Sequence, residues 1–299
     1  MGTMVSDEAF PPETVESPGE LLAKVADLAR QGDPDLSRPE LWFRGHSRTT
    51  YELIPSVFRG VPLSDRPKVE RLLTHRFRSR AAMHVERDLG YNERARWLAL
   101  MQHHGLPTRL LDWSRSPLVA AYFAVERALP PFWGSAVAPD DSADLWVLDP
   151  RALNEIACPG QGAILGAIES GVIDRLVTEA FYDYVPRTEA AWPEPEFDPP
   201  VYAAMSVESD MRMLVQQGGF TIHGATLGPL EEQQAVRAAL RCRFRIPARA
   251  IPRFAEELAG AGYTEAGIYP DLDHISLELV RDSPIPKARG RAASPFRRP

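Results

Sequence analysis

The segment QHHGLPTRLLDWSRSPLVAAYFA, residues 102–124, combines ionisable and aromatic side chains with a run of leucines and alanines. A buried strand rarely holds so many ionisable groups, and a solvated loop has little use for paired leucines and a tryptophan. The mixture is typical of a ligand cavity, where a few polar groups stand on an apolar surface. We therefore expect this segment to form one wall of such a cavity.

Helix signals lie on both sides of the polar residues of this segment. Residues 92–105 are predicted to be a helix that stops at Gly105 and Pro107. Residues 116–129 are predicted to be a second helix with Ser116 as its N-cap. The polar residues thus fall where the chain passes from one helix to the next.

The rest of the chain mixes strands and helices. Apolar runs predict strands at 40–47, 143–149 and 240–247, and a short apolar element, a Gly-Gly bend and a strand within 211–224. Helical periodicity and capping residues predict further helices at 17–32, 65–88, 164–182 and 248–262, and residues 273–282 are either a final helix, which we favour, or a strand. No regular β-α-β rhythm is present, which favours the α+β class with a mixed or antiparallel central sheet flanked by helices.

Two of these elements have a predicted inner face. In the helix at 65–88 the apolar positions 69, 72, 73, 77 and 83 are expected to face the core, opposite Arg71, His75 and Arg78. In the strand at 240–247 the inward positions are expected to be Leu240, Cys242, Phe244 and Ile246, with the arginines outside.

One domain is predicted between two irregular ends. Residues 1–16 are expected to be flexible, 17–282 to form a single domain, and 283–299 to be a disordered basic tail. Within the domain, about 65–129 is a basic helical part and the remainder is rich in sheet. The proline-rich residues 185–200 are expected to be a surface loop.

The average charge hides a local excess. The chain has 44% hydrophobic and 25% charged residues and a net charge of −7, which does not favour general binding to nucleic acid or anionic membranes. Between residues 66 and 115, however, the sequence has eleven Arg or Lys but only five Asp or Glu, and four histidines lie in the same window. This window is the basis of the nucleic-acid hypothesis considered below.

Cysteine usage and hydropathy indicate a cytoplasmic protein. The two cysteines, Cys158 and Cys242, form no disulfide framework and lack zinc-site spacing. No apolar run approaches the length of a membrane helix, and no metal is expected. The P-loop, the dinucleotide-binding glycine motif, the zinc-protease motif and the nucleophile elbow are also absent, which argues against the common enzymes that carry them.

Arg44 stands in the middle of an apolar strand, where a guanidinium needs anions or several acceptors. In one interpretation it holds a phosphate or carboxylate of a ligand, while Gly45 lets that ligand approach closely. In the other it forms a buried structural ion pair, for example with Asp112. Composition alone does not separate the two.

The polar residues after the helix at 92–105 are open to the same two interpretations. In one, Gln102, His103, Arg109 and Asp112 converge on one cavity, where a histidine acts as general acid or base. In the other, these residues only hold the loop together.

Three further groups of residues also allow two interpretations. Ser114 and Ser116 precede the start of a helix, and this helix start either binds a phosphate or is merely capped by a serine. Two amides, Gln216 and Gln217, precede two glycines that either let a flat ligand lie close or form a turn. Tyr122 is either a core residue or an aromatic that stacks on a base.

Four segments together resemble the FRG domain, a bacterial family named for its Phe-Arg-Gly motif, here Phe43-Arg44-Gly45. They are LWFRGHS (41–47), QHHGLPTRLLDWSRSPLVAAYFA (102–124), MRMLVQQGGF (211–220) and the stretch from FRIPARAIPRF (244–254) to LAGAGYTEAGIYPDLD (258–273). The resemblance spans roughly residues 20–280.

A weaker resemblance is to ADP-ribosyltransferases of the arginine-serine-glutamate type. FRG looks like their first motif, WSRSPLVAAYFA (113–124) like their serine motif, and QQGGF (216–220) stands where their glutamate motif should be. The resemblance implies that Arg44 grips the diphosphate or nicotinamide ribose of NAD, that Ser114 and Ser116 shape the nicotinamide pocket, and that Gln217 touches the ribose. It implies an NAD-dependent effector or NAD glycohydrolase, as in bacterial toxins or phage defence.

The sequence departs from that pattern at the catalytic carboxylate. No Glu-x-Glu or Gln-x-Glu occurs near 216–220, so the carboxylate is Glu208, Asp210 or Asp112, or it is lacking. Two other functions therefore stay open. One is a nucleic-acid-binding or nucleic-acid-processing domain that uses the basic window, and the other is a non-catalytic ligand-sensing module.

Overall fold

Seven strands form one mixed sheet in the part of the chain that the computed structural model describes, namely residues 10–31, 40–81, 83–85, 89–90, 93–128, 141–157, 159–160, 201–205, 211–224 and 227–282. The strands are β1 (Glu13–Thr14), β2 (Trp42–His46), β3 (Leu110–Ser114), β4 (Ala143–Leu148), β5 (Tyr202–Met205), β6 (Gly218–Ile222) and β7 (Leu240–Ile246). Their order is β1-β7-β4-β2-β3-β6-β5. Only the β1–β7 pair is parallel, so the predicted α+β class with a mixed sheet is confirmed.

The helices of the described residues are α1 (Pro18–Arg30), α2 (Arg66–Ala81), α3 (Arg94–His103), α4 (Pro117–Val125), α5 (Pro150–Ala157), α6 (Met211–Gln216), α7 (Ile251–Gly260), α8 (Glu265–Ile268) and α9 (Leu272–Asp282).

Two of the N-caps predicted from the sequence are present. The Ser17 hydroxyl accepts from the Glu20 amide at 3.2 Å, and the Ser116 hydroxyl accepts from the Val119 amide at 3.4 Å. The helix predicted at 164–182, the loop at 185–200 and the tail at 283–299 lie outside the described residues.

Helix α4 packs directly on β2, and a glycine makes the approach possible. A Cβ on Gly45 would lie 1.9 Å from the carbonyl oxygen of Ala120 and 2.6 Å from the amide nitrogen of Ala124. The close approach expected at Gly45 is therefore that of α4 and not primarily that of a ligand. It places α4 over the strand that carries Arg44.

The predicted core face of α2 is confirmed only in part. Val69, Leu73 and Phe77 are partly buried against hydrophobic clusters, whereas Leu72 is 51% exposed and, beyond the helix end, Met83 is 93% exposed. The buried residues of the helix are Arg66, Glu70, Thr74, Arg78 and Ala81. These polar residues have polar or aromatic partners: Glu70 pairs with Arg109, and the Arg78 guanidinium lies over the Trp97 ring, 5.3 Å from its centroid.

Strand β7 is covered on both faces, so one of its arginines is buried. Arg243 is 1% exposed, lies 5.1 Å over the Trp146 ring and is 3.5 Å from the Asp144 carboxylate. Its Nη2 donates to the carbonyl of Phe10 at 2.7 Å. The expectation that the arginines of this strand point outward is wrong at Arg243, because the chain before α1 covers that face. There β1 lies in the segment expected to be flexible, and the adjacent Val15 is fully buried.

Candidate functional site

A cavity of about 690 Å³ lies where two neighbouring strands separate. Strands β2 and β3 pair only through Phe43 and Ser114, whereas β3 continues along β6 over its whole length. Residues of both strands line the cavity, together with residues of α3, α4, α6 and β6 and of the chain at 47–59. Its volume is typical of sites that enclose a small molecule.

Arg44 lines this cavity, and its guanidinium is held by hydrogen bonds to neutral acceptors. Its Nε donates to Nε2 of His46 at 3.2 Å, and its Nη1 donates to the backbone carbonyl oxygen of Asp112 at 2.5 Å. Among the described residues, no carboxylate oxygen lies within ion-pairing distance of this guanidinium. The predicted structural ion pair with Asp112 is therefore replaced by a hydrogen bond to its main chain.

The pKa of Arg44 is lowered to about 10, chiefly by burial; the Asp112 carboxylate opposes this shift, and the charge of Arg59 adds to it. A pKa near 10 still leaves the guanidinium charged at neutral pH. The site thus holds a desolvated cation, which an anionic ligand would stabilise.

His46 is the neutral partner that orients Arg44. The side chain is 3% exposed, and burial, followed by the charges of Arg44 and Arg59, holds its pKa well below the usual range. A neutral imidazole can accept the Nε hydrogen bond from Arg44, whereas a charged one could not. The sequence motif Phe-Arg-Gly-His therefore contains both the cation and the acceptor that fixes it.

A chain of hydrogen bonds orients the Asp112 carboxylate. The hydroxyl of Thr108 donates to Oε1 of Gln102 at 2.5 Å, and Nε2 of Gln102 donates to Oδ2 of Asp112 at 2.8 Å. Because Thr108 fixes which end of the amide is the acceptor, the amide nitrogen faces Asp112. Gln102, His103 and Asp112 all line the cavity, as the sequence predicted for a convergent group.

Arg109 does not belong to this group. It is 1% exposed and forms a bidentate ion pair with Glu70 of α2, which is fully buried: Nε lies 2.9 Å from both carboxylate oxygens and Nη2 lies 2.5 Å from Oε2. Of the two interpretations, Arg109 fits the one in which it holds the loop together, because its guanidinium is neutralised away from the cavity.

The two serines of the predicted phosphate site serve the local backbone. Ser114 lines the cavity, but its hydroxyl donates to the carbonyl of Gln216 at 2.7 Å and accepts from the Ser116 amide at 3.0 Å. Ser116 caps α4 and does not line the cavity. Tyr122, at 2% exposure, packs in the core between α4 and the sheet and also lies outside the lining.

The two predicted amides have different positions. Gln216 lines the cavity and its Nε2 donates to the carbonyl of Ile268 at 3.3 Å. Gln217 has a φ of 48° in the turn into β6, is exposed and lies outside the lining. The bend does not leave room at Gly219, because a Cβ there would lie 2.9 Å from the Trp42 ring.

Four charged residues of the cavity were not predicted: Glu52, Arg59, Glu126 and Arg212. Arg59 follows a short turn at Ser56–Phe58, and Arg212 lies 4.9 Å over the Tyr269 ring. Neither position carries a local sequence signal, because loop geometry and the sheet bring them to the site. Two of the carboxylates considered from sequence, Glu208 and Asp210, lie outside the described residues.

The described ranges contain no group of three or more His, Cys, Asp or Glu side chains arranged to hold a metal ion. Among the helices of those ranges, none combines the length and the apolar character needed to cross a bilayer.

The comparisons with known proteins locate one family. A family model of the FRG domain matches residues 39–131, the part of the chain that supplies β2, α3, β3 and α4 to the cavity. No curated protein and no solved structure matches the chain. Arg212 and Gln216 lie beyond the matched residues, so the cavity joins the matched segment to the later chain. The chain carries an FRG domain over residues 39–131.

Proposed function

We propose that the cavity beside Arg44 binds NAD and that the chain cleaves it, as an ADP-ribosyltransferase-like effector or an NAD glycohydrolase. The observation that carries this proposal is the Arg44 guanidinium, a half-buried cation that lines the cavity and has no carboxylate within ion-pairing distance among the described residues. A phosphate group of a ligand is the kind of anion that such a planar fork binds.

The rest of the lining is compatible with a nucleotide. Phe123 and Tyr51 offer aromatic surface, and Gln102 and Gln216 offer amide groups beside the charged residues. Sites for organic ligands share this composition, in which mostly apolar walls carry a few placed polar groups. The proposal is that the phosphates lie at Arg44 and that the nicotinamide ribose lies toward Asp112.

The proposed reaction needs one carboxylate and one proton acceptor. The bond from C1′ of the nicotinamide ribose to the ring nitrogen breaks, and its electron pair leaves with nicotinamide. The Asp112 carboxylate, oriented by Gln102, stabilises the positive charge that develops on the ribose. An acceptor oxygen, or water in a glycohydrolase, bonds to C1′ and passes its proton to His103.

The proposal is tested with NAD labelled in the nicotinamide ring. Wild-type protein is expected to release labelled nicotinamide, and Arg44→Ala is expected to lower kcat/KM for that release by roughly 100-fold, the size of effect that follows from losing charge-assisted hydrogen bonds to a phosphate. Arg253→Ala is the matched control, since Arg253 is exposed and, within the described residues, pairs with Glu257 on the same helix. Arg44→Lys keeps the charge, and thermal unfolding of each variant reports whether it folds.

Two results would end this proposal: wild-type protein that neither binds NAD by calorimetry nor releases nicotinamide, or release that is equal in wild type and a folded Arg44→Ala. Binding of NAD without release would instead support the non-catalytic ligand-sensing module.

The nucleic-acid alternative has less support. Arg66, Arg78 and Arg109 account for part of the positive charge of residues 66–115, and all three are buried. Buried guanidiniums cannot neutralise phosphates of a duplex, so the basic window is less available than its composition implies.

A further inference from the structure

Arg59 is a second cation of the cavity that is held without being neutralised. Its Nε donates to the carbonyl oxygen of Ile54 at 3.2 Å. Among the described residues, its two terminal nitrogens have no hydrogen-bond or ion-pair partner. The residue lines the cavity with Arg44. One backbone carbonyl therefore sets the direction of the side chain and leaves the terminal nitrogens of the guanidinium for a ligand.

Arg44 and Arg59 share this construction. Each is fixed by a carbonyl oxygen, of Asp112 for Arg44 and of Ile54 for Arg59. The two lie close enough for the charge of Arg59 to lower the pKa of Arg44, and the Asp112 carboxylate acts on both from a distance. That single carboxylate is already hydrogen-bonded to Gln102. Although Glu52 and Glu126 also line the cavity, neither Arg44 nor Arg59 forms an ion pair with a carboxylate of the described residues.

The loop that carries Arg59 is anchored at several points. The amide of Leu53 donates to both carboxylate oxygens of Glu231 at 3.1 Å, and the carbonyl of Leu53 accepts from the Leu230 amide at 3.0 Å. The amide of Val57 donates to the carbonyl of Thr108 at 3.4 Å. These bonds tie the loop to Thr108, Leu230 and Glu231, so that the backbone that carries Arg59 is held in place.

We infer that Arg44 and Arg59 form a two-arginine clamp for a diphosphate group, one guanidinium for each phosphate. The inference rests on the proposed function for the choice of a nucleotide as ligand. A monophosphate engages one fork and leaves the other cation without a partner, whereas two adjacent phosphates engage both. The clamp therefore selects ligands with a diphosphate linkage over the corresponding monophosphates, and Arg59 is its specificity-determining member.

The test measures dissociation constants by calorimetry for ADP-ribose, inorganic pyrophosphate and AMP. Arg59→Ala is expected to weaken ADP-ribose and pyrophosphate by about 10- to 100-fold, the loss expected for charge-assisted hydrogen bonds, and to weaken AMP by less than about 3-fold. Arg59→Lys keeps the charge but not the fork and should recover only part of the loss. Thermal unfolding confirms that each variant is folded.

Two control variants separate a clamp from general positive charge. Arg212 lines the same cavity, so Arg212→Ala should weaken pyrophosphate far less than Arg59→Ala if the clamp is specific. Arg253→Ala, on the surface, should leave all three constants unchanged.

Three results overturn the clamp: pyrophosphate binding that is unaffected by Arg59→Ala, equal losses in Arg59→Ala and Arg212→Ala, or equal losses for AMP and ADP-ribose. Failure of the proposed function looks different. If pyrophosphate and ADP-ribose bind through both arginines but NAD is neither bound nor cleaved, the two-arginine clamp is supported and the proposed NAD reaction is contradicted.

Discussion

Arg109, which directly precedes β3, and Glu70 of α2 form a bidentate ion pair with both side chains almost fully buried, at 1% and 0% exposure. The pair joins the polar face of α2 to the strand that forms one wall of the cavity. Removing one partner of such a pair leaves a buried, uncompensated charge, which costs more than the pair itself contributes.

Arg109→Ala is therefore expected to lower the free energy of unfolding by about 3–5 kcal/mol. The double variant Glu70→Leu/Arg109→Met, which leaves no charge at the site, should regain most of that loss. Urea denaturation of the single and double variants measures both. A loss below about 1 kcal/mol in Arg109→Ala would contradict the buried position of the pair.

Gly45→Ala is expected to destabilise the chain by about 3 kcal/mol or more, at or above the upper range for overpacking. The added Cβ meets the carbonyl of Ala120 and the amide of Ala124, which are backbone atoms of α4 and cannot rotate away. Gly260→Ala is the control, because a Cβ there has no neighbour within 4 Å. The two denaturation midpoints should differ clearly, and equal midpoints would show that α4 does not pack on β2 as described.

The sequence predicted the strand with Arg44, the cavity wall after α3 and the caps at Ser17 and Ser116, because each of these depends on neighbours within a few residues. Hydrophobic periodicity predicted only part of the inner face of α2, because Glu70 is buried by its ion pair with Arg109, which is 39 residues away along the chain. An ion pair of that separation leaves no local pattern.

The site was only partly predictable for the same reason. Arg44, Gln102, His103 and Asp112 belong to two short motifs that meet across neighbouring strands. Arg59 is an exposed residue after a turn, and its role depends on the anchoring of that loop by Glu231, which is distant in sequence. Ser116 and Tyr122 show the opposite error, since helix capping and core packing account for residues that a motif assigns to a ligand.

Stability should fall as pH rises through about 7 because of Glu231. Burial, the largest cause, raises the pKa of Glu231 from 4.5 to about 7, while its hydrogen bond from Leu53 opposes the shift. Because the folded-state pKa is above the unfolded value, the folded protein binds more protons between these values. This contribution is therefore complete below pH 4.5 and is lost as pH rises through about 7, an effect of about 3 kcal/mol.

Glu231→Gln is expected to remove that pH dependence and to be more stable than wild type at pH 8, because a neutral amide oxygen still accepts from Leu53. Denaturation at pH 5 and pH 8 measures the difference. If the free energy of unfolding changed by the same amount from pH 5 to pH 8 in wild type and in Glu231→Gln, the assigned role of Glu231 would be contradicted.

The hydrogen-bond chain from Thr108 through Gln102 should matter to turnover more than to binding. Thr108→Val removes the donor that fixes the Gln102 amide, and the Asp112 carboxylate then loses its orientation. We expect kcat for nicotinamide release to fall about 10-fold with KM nearly unchanged, the pattern of a contact made in the transition state. Thr108→Ser keeps the hydroxyl and should retain activity. A rise in KM at constant kcat would instead place the chain in ligand binding.

The most direct test of the cavity as a phosphate site is a crystal structure of the wild-type protein with ADP-ribose. The account predicts phosphate oxygens about 3 Å from the Nη2 atom of Arg44, with Asp112 beside the terminal ribose. Ligand bound elsewhere on the protein, or an Arg44 guanidinium turned onto a carboxylate of the chain itself, would contradict it.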